Sequence, residues 1–253
     1  MDRKQNKISI IIPTFNEEGH ISKVLQALEK NASGDGIKEI IVVDGGSTDA
    51  TTNIAASLGA KILKSSKGRA KQMNLGAKNA SGTILYFLHV DSIPPRNFDQ
   101  NIVKAYEQGF SAGCFRLHFN SKSLFLRFFA WCTCINHILC RGGDQSLYIT
   151  KGLFDEFDGF DENYTIYEDI ELIHRIYKKV RFKIIPNYVI TSARRYHERG
   201  MITLQYHFGV IHAMYFTGAK PNDLYTYYLE KIAIKKNTAT YPQNRAAPLQ
   251  KSI

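Results

Sequence analysis

The first hundred residues alternate two hydrophobic periods, and that alternation limits the fold more than any other feature of the chain. Three compact apolar runs, "KISIIIP" from Lys7, "IKEIIVV" from Ile37 and "TILYFL" from Thr83, are rich in β-branched and aromatic residues and read as strands. Segments of helical spacing lie between them. Ile21, Val24, Leu25 and Leu28 form one apolar face, with Asn16 expected as its cap and Glu17 and Glu18 suited to the positive end of the helix dipole. Ser47 is expected to cap a second helix beginning near Asp49, a short run "AKIL" follows, and "GRAKQMNLGAKNA" reads as a third helix. Strands alternating with helices build a mostly parallel sheet covered on both faces, an α/β fold.

In such sheets ligands bind beyond the carboxyl ends of the strands, near the point where strand order reverses. Thr14 and Asn16 follow the first run, Asp44 the second, and His89 and Asp91 the third. The turn after the first strand reads "PTFNEEG". It has neither the G-x-G-x-x-G dinucleotide fingerprint nor a phosphate-cradling Walker loop, which argues against an ordinary dehydrogenase or P-loop NTPase.

The second half is less regular. "GFSAGCFRLHF", "SLYITK", "RFKIIP" and "YVITSA" read as strands, "LFLRFFAWCTCINHIL" as one nearly all-apolar helix, "YEDIELIHRIYKK" as a charged helix and "TLQYHFGVIHAMYF" as an aromatic one. The 253 residues, 44% hydrophobic, suffice for one large domain. The net charge of +10 points to a phosphorylated ligand, a polyanion or an anionic membrane surface. Cys114, Cys132, Cys134 and Cys140 form no C-x-x-C pair and read as reduced packing residues, so a cytoplasmic protein is expected. The opening "MDRKQNKISIII" lacks an apolar signal core.

Several clusters could carry chemistry. His89 and Asp91 project to one side if the strand continues, so both could reach a hard divalent cation; a solvated strand end would use the same residues. Asp44, in "VVDGGSTDAT", could accept from a base or a ribose, or form an ordinary turn. Arg69 could stack on a base or hold a phosphate. Gly142, Gly143, Asp144 and Gln145 suit a polar ligand or a turn. Glu168 and Asp169 open a helix, where acidic residues are commonplace, and could also supply a general base. Arg194 and Arg195 could neutralise a departing diphosphate, and His197 could add a metal ligand.

Taken in order and spacing, "IIPTFNEE", "IIVVDGGSTDAT", "FLHVDS", "GGDQSLYI" and "YEDIEL" resemble family 2 glycosyltransferases, over roughly Ile8 to Arg199. "KGRAKQMNLGA", "LHVDS" and "GGDQ" most resemble a bacterial subgroup of the arsenosugar-biosynthesis type. The resemblance implies a GT-A fold, with a Rossmann-like nucleotide-binding sheet flanked by helices, an acceptor-side region and C-terminal helices. It implies a glycosyltransferase of the hexosyltransferase type, a nucleoside-diphosphate sugar donor and Mn²⁺ or Mg²⁺. Residue by residue, Thr14, Asn16, Glu17, Asp44 and Arg69 would bind the donor nucleotide, and Asp91 the metal on its diphosphate. Asp169 would be the catalytic base of an inverting transfer, and Gly143, Asp144, Gln145 and Glu168 would face the acceptor. His89 replaces the first Asp of the family's D-x-D pattern, which places the ribose or a second metal contact in question. Residues 1–235 would form one domain: a nucleotide-sugar half over 7–115, an acceptor and catalytic half over 116–198, and C-terminal helices over 199–235. A polar, disordered tail is expected over 236–253.

A small-molecule or lipid-linked acceptor is expected. No nucleic-acid partner is expected; a homodimer and peripheral contact with the inner face of the membrane, through "LFLRFFAW" and "YHFGVIHAMYF", stay open. The competing readings are a sugar-1-phosphate nucleotidyltransferase, and a basic nucleic-acid- or membrane-binding module without catalysis.

Overall fold

The structure is a computed structural model that describes residues 6–34 and 36–233; the expected disordered tail lies outside them. The first half runs β1 (Ile8–Thr14), α1 (Glu18–Asn31), β2 (Ile37–Asp44), α2 (Thr51–Ser57), β3 (Lys61–Lys64), α3 (Arg69–Lys78) and β4 (Ile84–Phe87). The second adds β5 (Ser92–Ile93), α4 (Phe98–Glu107), β6 (Ala112–Phe119), α5 (Leu124–Cys132), β7 (Leu147–Thr150), α6 (Lys151–Glu156), α7 (Glu168–Lys179) and β8 (Phe182–Thr191). Three helices close the described chain: α8 (Arg194–Arg199), α9 (Met201–Phe216) and α10 (Pro221–Lys231).

One sheet of eight strands has the order β3-β2-β1-β4-β7-β6-β8-β5. The pairs among β1, β2, β3 and β4 are parallel; β7 is antiparallel to both neighbours, and β6 pairs β8 in parallel. Every residue of β1 is buried, as a central parallel strand covered on both faces requires. Ile8, Ile10 and Ile12 pack towards α1 and α4, while Ile11 packs with Met73 of α3 and Ile173 and Ile176 of α7 on the other side. A third cluster joins Leu126 and Ala130 of α5 to Tyr196, Leu204, Ile211 and Leu224 of the last three helices. This is the α/β architecture expected from the alternating periods. The order of strands reverses at β1 and β4, so the ends of these two strands frame a crevice.

Two expected elements differ from those observed. The single helix expected across "LFLRFFAWCTCINHIL" stops at Cys132. The Thr133 hydroxyl binds back to the Ala130 carbonyl at 2.6 Å and accepts the Leu117 amide at 3.0 Å. The buried Arg141 guanidinium donates to the carbonyls of Thr133 and Ile135 at 2.8 and 2.5 Å. These carbonyls therefore face Arg141 instead of continuing a helical ladder. Conversely, "RFKIIP" and "YVITSA" belong to one strand, β8. Its register on β6 jumps from Phe115–Ile185 to Arg116–Tyr188, so Pro186, which has no N–H to donate, sits with Asn187 in a bulge. All four cysteines are free thiols, Cys114 in the core. Among the described residues no helix is long and apolar enough to cross a membrane.

Gly76 shows how closely α3 lies on the sheet. A Cβ there would come 2.5 Å from Ile11 Cγ2 and 3.1 Å from Val43 Cγ2, both in the core. Helix propensity alone would make Gly76→Ala stabilising by about 1 kcal/mol. Overpacking is expected to reverse the sign and destabilise by about 1–3 kcal/mol in urea unfolding. Gly152→Ala, in α6 with nothing within 4 Å, is the control and should be neutral or stabilising.

Candidate functional site

The β1–α1 and β2–α2 turns hold each other. The Asn16 side chain accepts the Thr48 amide at 2.8 Å, and its own amide donates to the Ser47 hydroxyl at 2.8 Å. The Glu17 and Glu18 amides at the start of α1 donate to Thr51 Oγ1 and Asp49 Oδ2, at 2.8 and 3.2 Å. Neither Asn16 nor Ser47 is therefore the helix cap expected of it: the first residues of α1 are satisfied from the neighbouring turn. Asn16 adopts a φ of 54°, a left-handed conformation that Asn tolerates better than most residues. Asp44 is 4% exposed, and its carboxylate accepts the amides of Gly46 and Ser47 at 3.0–3.2 Å. It is an anchor of its own turn. Gln72, buried in α3, donates to the carbonyls of both Thr14 and Val43 at 2.8 and 2.7 Å, tying the ends of β1 and β2.

A cavity of about 250 Å³ opens at the ends of β1 and β4. The strand ends supply Thr14, Phe15, Glu17, His89 and Asp91 to its wall. Arg69 and Gln72 come from α3, and Asp144 from the turn before β7. Arg194, Arg195 and Tyr196 come from α8, and Leu204 and Phe208 from α9. Residues far apart in sequence thus share one wall. Asn16, Asp44 and His197 are not on it, and His197 is exposed on α8.

Charge is paired across the two halves. Arg69 Nε lies 2.7 Å from Glu168 Oε1 in α7, with Glu168 fully buried. The contact is an ion pair by distance, without a well-angled hydrogen bond. Burial pushes the Glu168 carboxyl up to about 7, against the opposing pull of Arg69. His89 stands between two carboxylates, Nδ1 3.5 Å from Asp144 and Nε2 3.5 Å from Asp169. Burial works against its charge, but the two carboxylates outweigh it and raise the imidazole to about 10. Burial would raise Asp144 and Asp169, and His89 instead holds both below the usual carboxylate range. Asp169 is 7% exposed and lies behind His89, off the cavity wall. Gly143 is needed there because a Cβ would collide with the Asp169 carboxylate. Gln145, 1% exposed, accepts the Gly142 amide at 3.0 Å, and Glu168 and Gln145 are both turned into the protein.

At the cavity mouth Glu17 pairs with His20 at 3.0 Å, and Arg194 approaches the same imidazole at 3.4 Å. Burial raises the Glu17 carboxyl, His20 and Arg194 oppose the rise, and the charge of Asp91 adds to it. Glu17 and Asp91 both line the cavity, and carboxylate oxygens are the hard donors that suit Mg²⁺ or Mn²⁺; a cation between them would relieve their repulsion. Both ring nitrogens of His89 are turned to carboxylates, so one of those contacts has to give way before the imidazole can bind such an ion. Among the described residues no three of His, Cys, Asp or Glu converge as a preformed metal cage. Arg195 donates to the Tyr228 hydroxyl at 3.0 Å and lies 5.6 Å over the Phe208 ring.

Sequence reasoning passed over Phe15, Leu204 and Phe208. Phe15 is 37% exposed, with Lys67 Nζ 3.8 Å above its ring. An aromatic residue in a turn between two polar residues was the available signal. The α9 residues gave none, since their place on the cavity wall depends on the packing of the third cluster.

The His89 contacts imply a pH dependence. In the unfolded chain its imidazole deprotonates near 6.5; in the fold it holds its proton to about 10. Its contribution to stability is full below pH 6.5 and fades as pH rises towards 10. Urea unfolding across that range should show stability falling with pH, with a shallower fall in His89→Gln. Equal slopes in the two proteins would contradict the pairing.

The profile of the family described as "Glycosyl transferase family 2" matches residues 9–154. The dolichyl N-acetyl-alpha-D-glucosaminyl phosphate 3-beta-D-2,3-diacetamido-2,3-dideoxy-beta-D-glucuronosyltransferase of Methanococcus voltae is 34% identical over 111 residues, 41% of this chain and 35% of that protein. The probable glycosyltransferase YdaM of Bacillus subtilis is 26% identical over 196 residues, 68% of this chain and 46% of that protein. The chain thus spans less than half the length of either relative. The structure of S. aureus TarS 1–349 in complex with UDP superposes with a TM-score of 0.63 at 22% identity, covering 74% of this chain and 60% of that one. Glucosyl-3-phosphoglycerate synthase from Mycobacterium tuberculosis, with Mg²⁺ and UDP, gives 0.52 at 19% identity, covering 74% and 70%.

Proposed function

We propose, from the premise that this chain belongs to glycosyl transferase family 2, that its cavity binds a nucleoside-diphosphate sugar and delivers the sugar to an acceptor hydroxyl with inversion. The observation that carries the reading is the convergence of Asp91, Arg194 and Arg195 on one wall at the ends of β1 and β4. Guanidiniums pair with a diphosphate directly, a carboxylate can hold a divalent cation against it, and an α/β sheet binds ligands at that place. UDP is the first nucleotide to try, because the similar TarS and glucosyl-3-phosphoglycerate synthase structures carry it.

Asp91, with Glu17 beside it, would hold Mn²⁺ or Mg²⁺, which supplies charge neutralisation at the diphosphate. The guanidiniums of Arg194 and Arg195 stabilise the leaving nucleoside diphosphate. Thr14 and Phe15, both on the cavity wall, would face the nucleotide, with Phe15 offering a ring face to the base. Asp44 and Asn16 act one step removed by fixing the two turns, and Arg69 is held in place by Glu168.

Asp169 takes the proton of the acceptor hydroxyl. Its carboxylate is ionised and held by His89, so an acceptor reaches it by displacing the His89 contact. A second reading gives the base to Asp144, because Asp144 stands on the cavity wall and Asp169 does not. The acceptor is a small molecule or a lipid-linked alcohol that enters beside Asp144.

The test is the product of incubation with UDP-sugars and Mn²⁺. Release of nucleoside diphosphate supports transfer, and release of pyrophosphate would point to a nucleotidyltransferase. Asp169→Asn should lower transfer by about 10²–10⁴-fold, the usual contribution of a general base, with nucleotide binding retained. If Asp144→Asn gives that loss and Asp169→Asn does not, the base is Asp144. Asp91→Ala should abolish the metal-dependent part of nucleotide binding, read as the rise in melting temperature on adding UDP with Mn²⁺.

A further inference from the structure

The face of α5 turned away from the protein carries an apolar stripe that the fold leaves uncovered. Leu124, Phe128 and Trp131 recur at helical spacing and are 76%, 57% and 60% exposed. The stripe continues through the following turn with Ile135 and Leu139, 45% and 57% exposed. The opposite face of the same helix is occupied: Leu126 and Ala130 are buried in the third cluster. Covering the sheet therefore accounts for one face of this segment and leaves the other unexplained. Contiguous exposed apolar surface of this kind marks an interaction site.

The charges around the stripe indicate what it meets. Between Glu107 and Asp144 the chain contains no acidic residue. Lys122 and Arg127, both exposed, flank the stripe, and among the described residues neither forms an ion pair. A second copy docked about a two-fold axis would bring this acid-free, cationic edge against itself. An anionic bilayer complements it: the aromatic and aliphatic side chains enter the headgroup boundary, Trp131 takes the position tryptophan favours at that boundary, and Lys122 and Arg127 reach lipid phosphates.

We infer that the exposed face of α5 and the turn after it is a docking surface for an anionic membrane, with Leu124, Phe128 and Trp131 inserted and Lys122 and Arg127 on the headgroups. The same packed cluster that seats α5 contains Tyr196 and Leu204, which line the cavity. Docking in this way places that cluster, and the cavity wall it supports, directly behind the membrane-bound helix. The inference rests on the stripe and its charges, and stands independently of the residue roles assigned to the transfer reaction.

Trp131 is the chain's single tryptophan, so its fluorescence reports this face alone. The full chain is titrated with vesicles of phosphatidylcholine and phosphatidylglycerol, and with vesicles of phosphatidylcholine alone. The expected result is a blue shift with the anionic vesicles, quenching by lipids brominated on the acyl chain, and loss of both in high salt. Lys122→Gln with Arg127→Gln should weaken partitioning by about 20- to 30-fold, from the contribution of each basic residue near an anionic surface. Leu124→Ser with Phe128→Ser should remove the shift while the thermal unfolding midpoint holds, since both side chains are exposed. Unshifted, unquenched emission with anionic vesicles at low salt overturns the proposal. So does a blue shift that grows with protein concentration in lipid-free buffer and accompanies a dimer's mass, which assigns the stripe to a second copy.

Discussion

The contact between Arg69 and Glu168 joins the two halves of the chain at the floor of the crevice. Arg69 opens α3, on the side of the sheet that serves β1 and β2; Glu168 opens α7, which follows the antiparallel half. A carboxylate with no exposed surface has lost its water, and removing its partner would leave a buried charge or force a proton onto it. With the pair in place, the next residue, Asp169, is presented to His89 at the end of β4, and His89 in turn meets Asp144. The arrangement of the site thus follows from one buried pair and the imidazole beside it.

This economy explains why the crevice can be acidic and basic at once. The buried carboxylates of Asp169 and Glu168, with the half-exposed Asp144 beside them, would repel one another, and Arg69 and His89 stand among them. At the mouth the balance differs: the charge of Asp91 acts against ionisation of Glu17, and His20 and Arg194 favour it. Charge is thus paired at the bottom of the site, while Asp91 and the two α8 arginines line the top, where the proposed metal ion and diphosphate would sit.

The strands, the helices between them and the carboxyl-end location of the site were legible because they depend on local period and a general rule of α/β sheets. The caps were not. Asn16 and Ser47 have the right side chains to cap the helices that follow, but they bond to each other's turns, more than thirty residues apart in sequence. The break after Cys132 depended on Arg141 reaching back to two carbonyls, which no period in the apolar run could show. The sequence points to His89 as a ligand for a cation because residues 89 and 91 project to one side if the strand continues. Its neighbours Asp144 and Asp169 lie 55 and 80 positions downstream in the sequence, and their contacts occupy both of its ring nitrogens and favour the protonated ring. Glu168 looked like an acceptor contact in a common acidic first turn, and only its burial beside Arg69 shows it turned inwards.

The proposed donor site is built from Asp91 and the α8 arginines, and a crystal structure of the protein with UDP and Mn²⁺ tests it most directly. The expected result is an anomalous manganese peak beside the Asp91 carboxylate, with the diphosphate between the metal and Arg194 or Arg195 and the base near Phe15. Manganese bound away from Asp91, or UDP bound outside the crevice at the ends of β1 and β4, would contradict it.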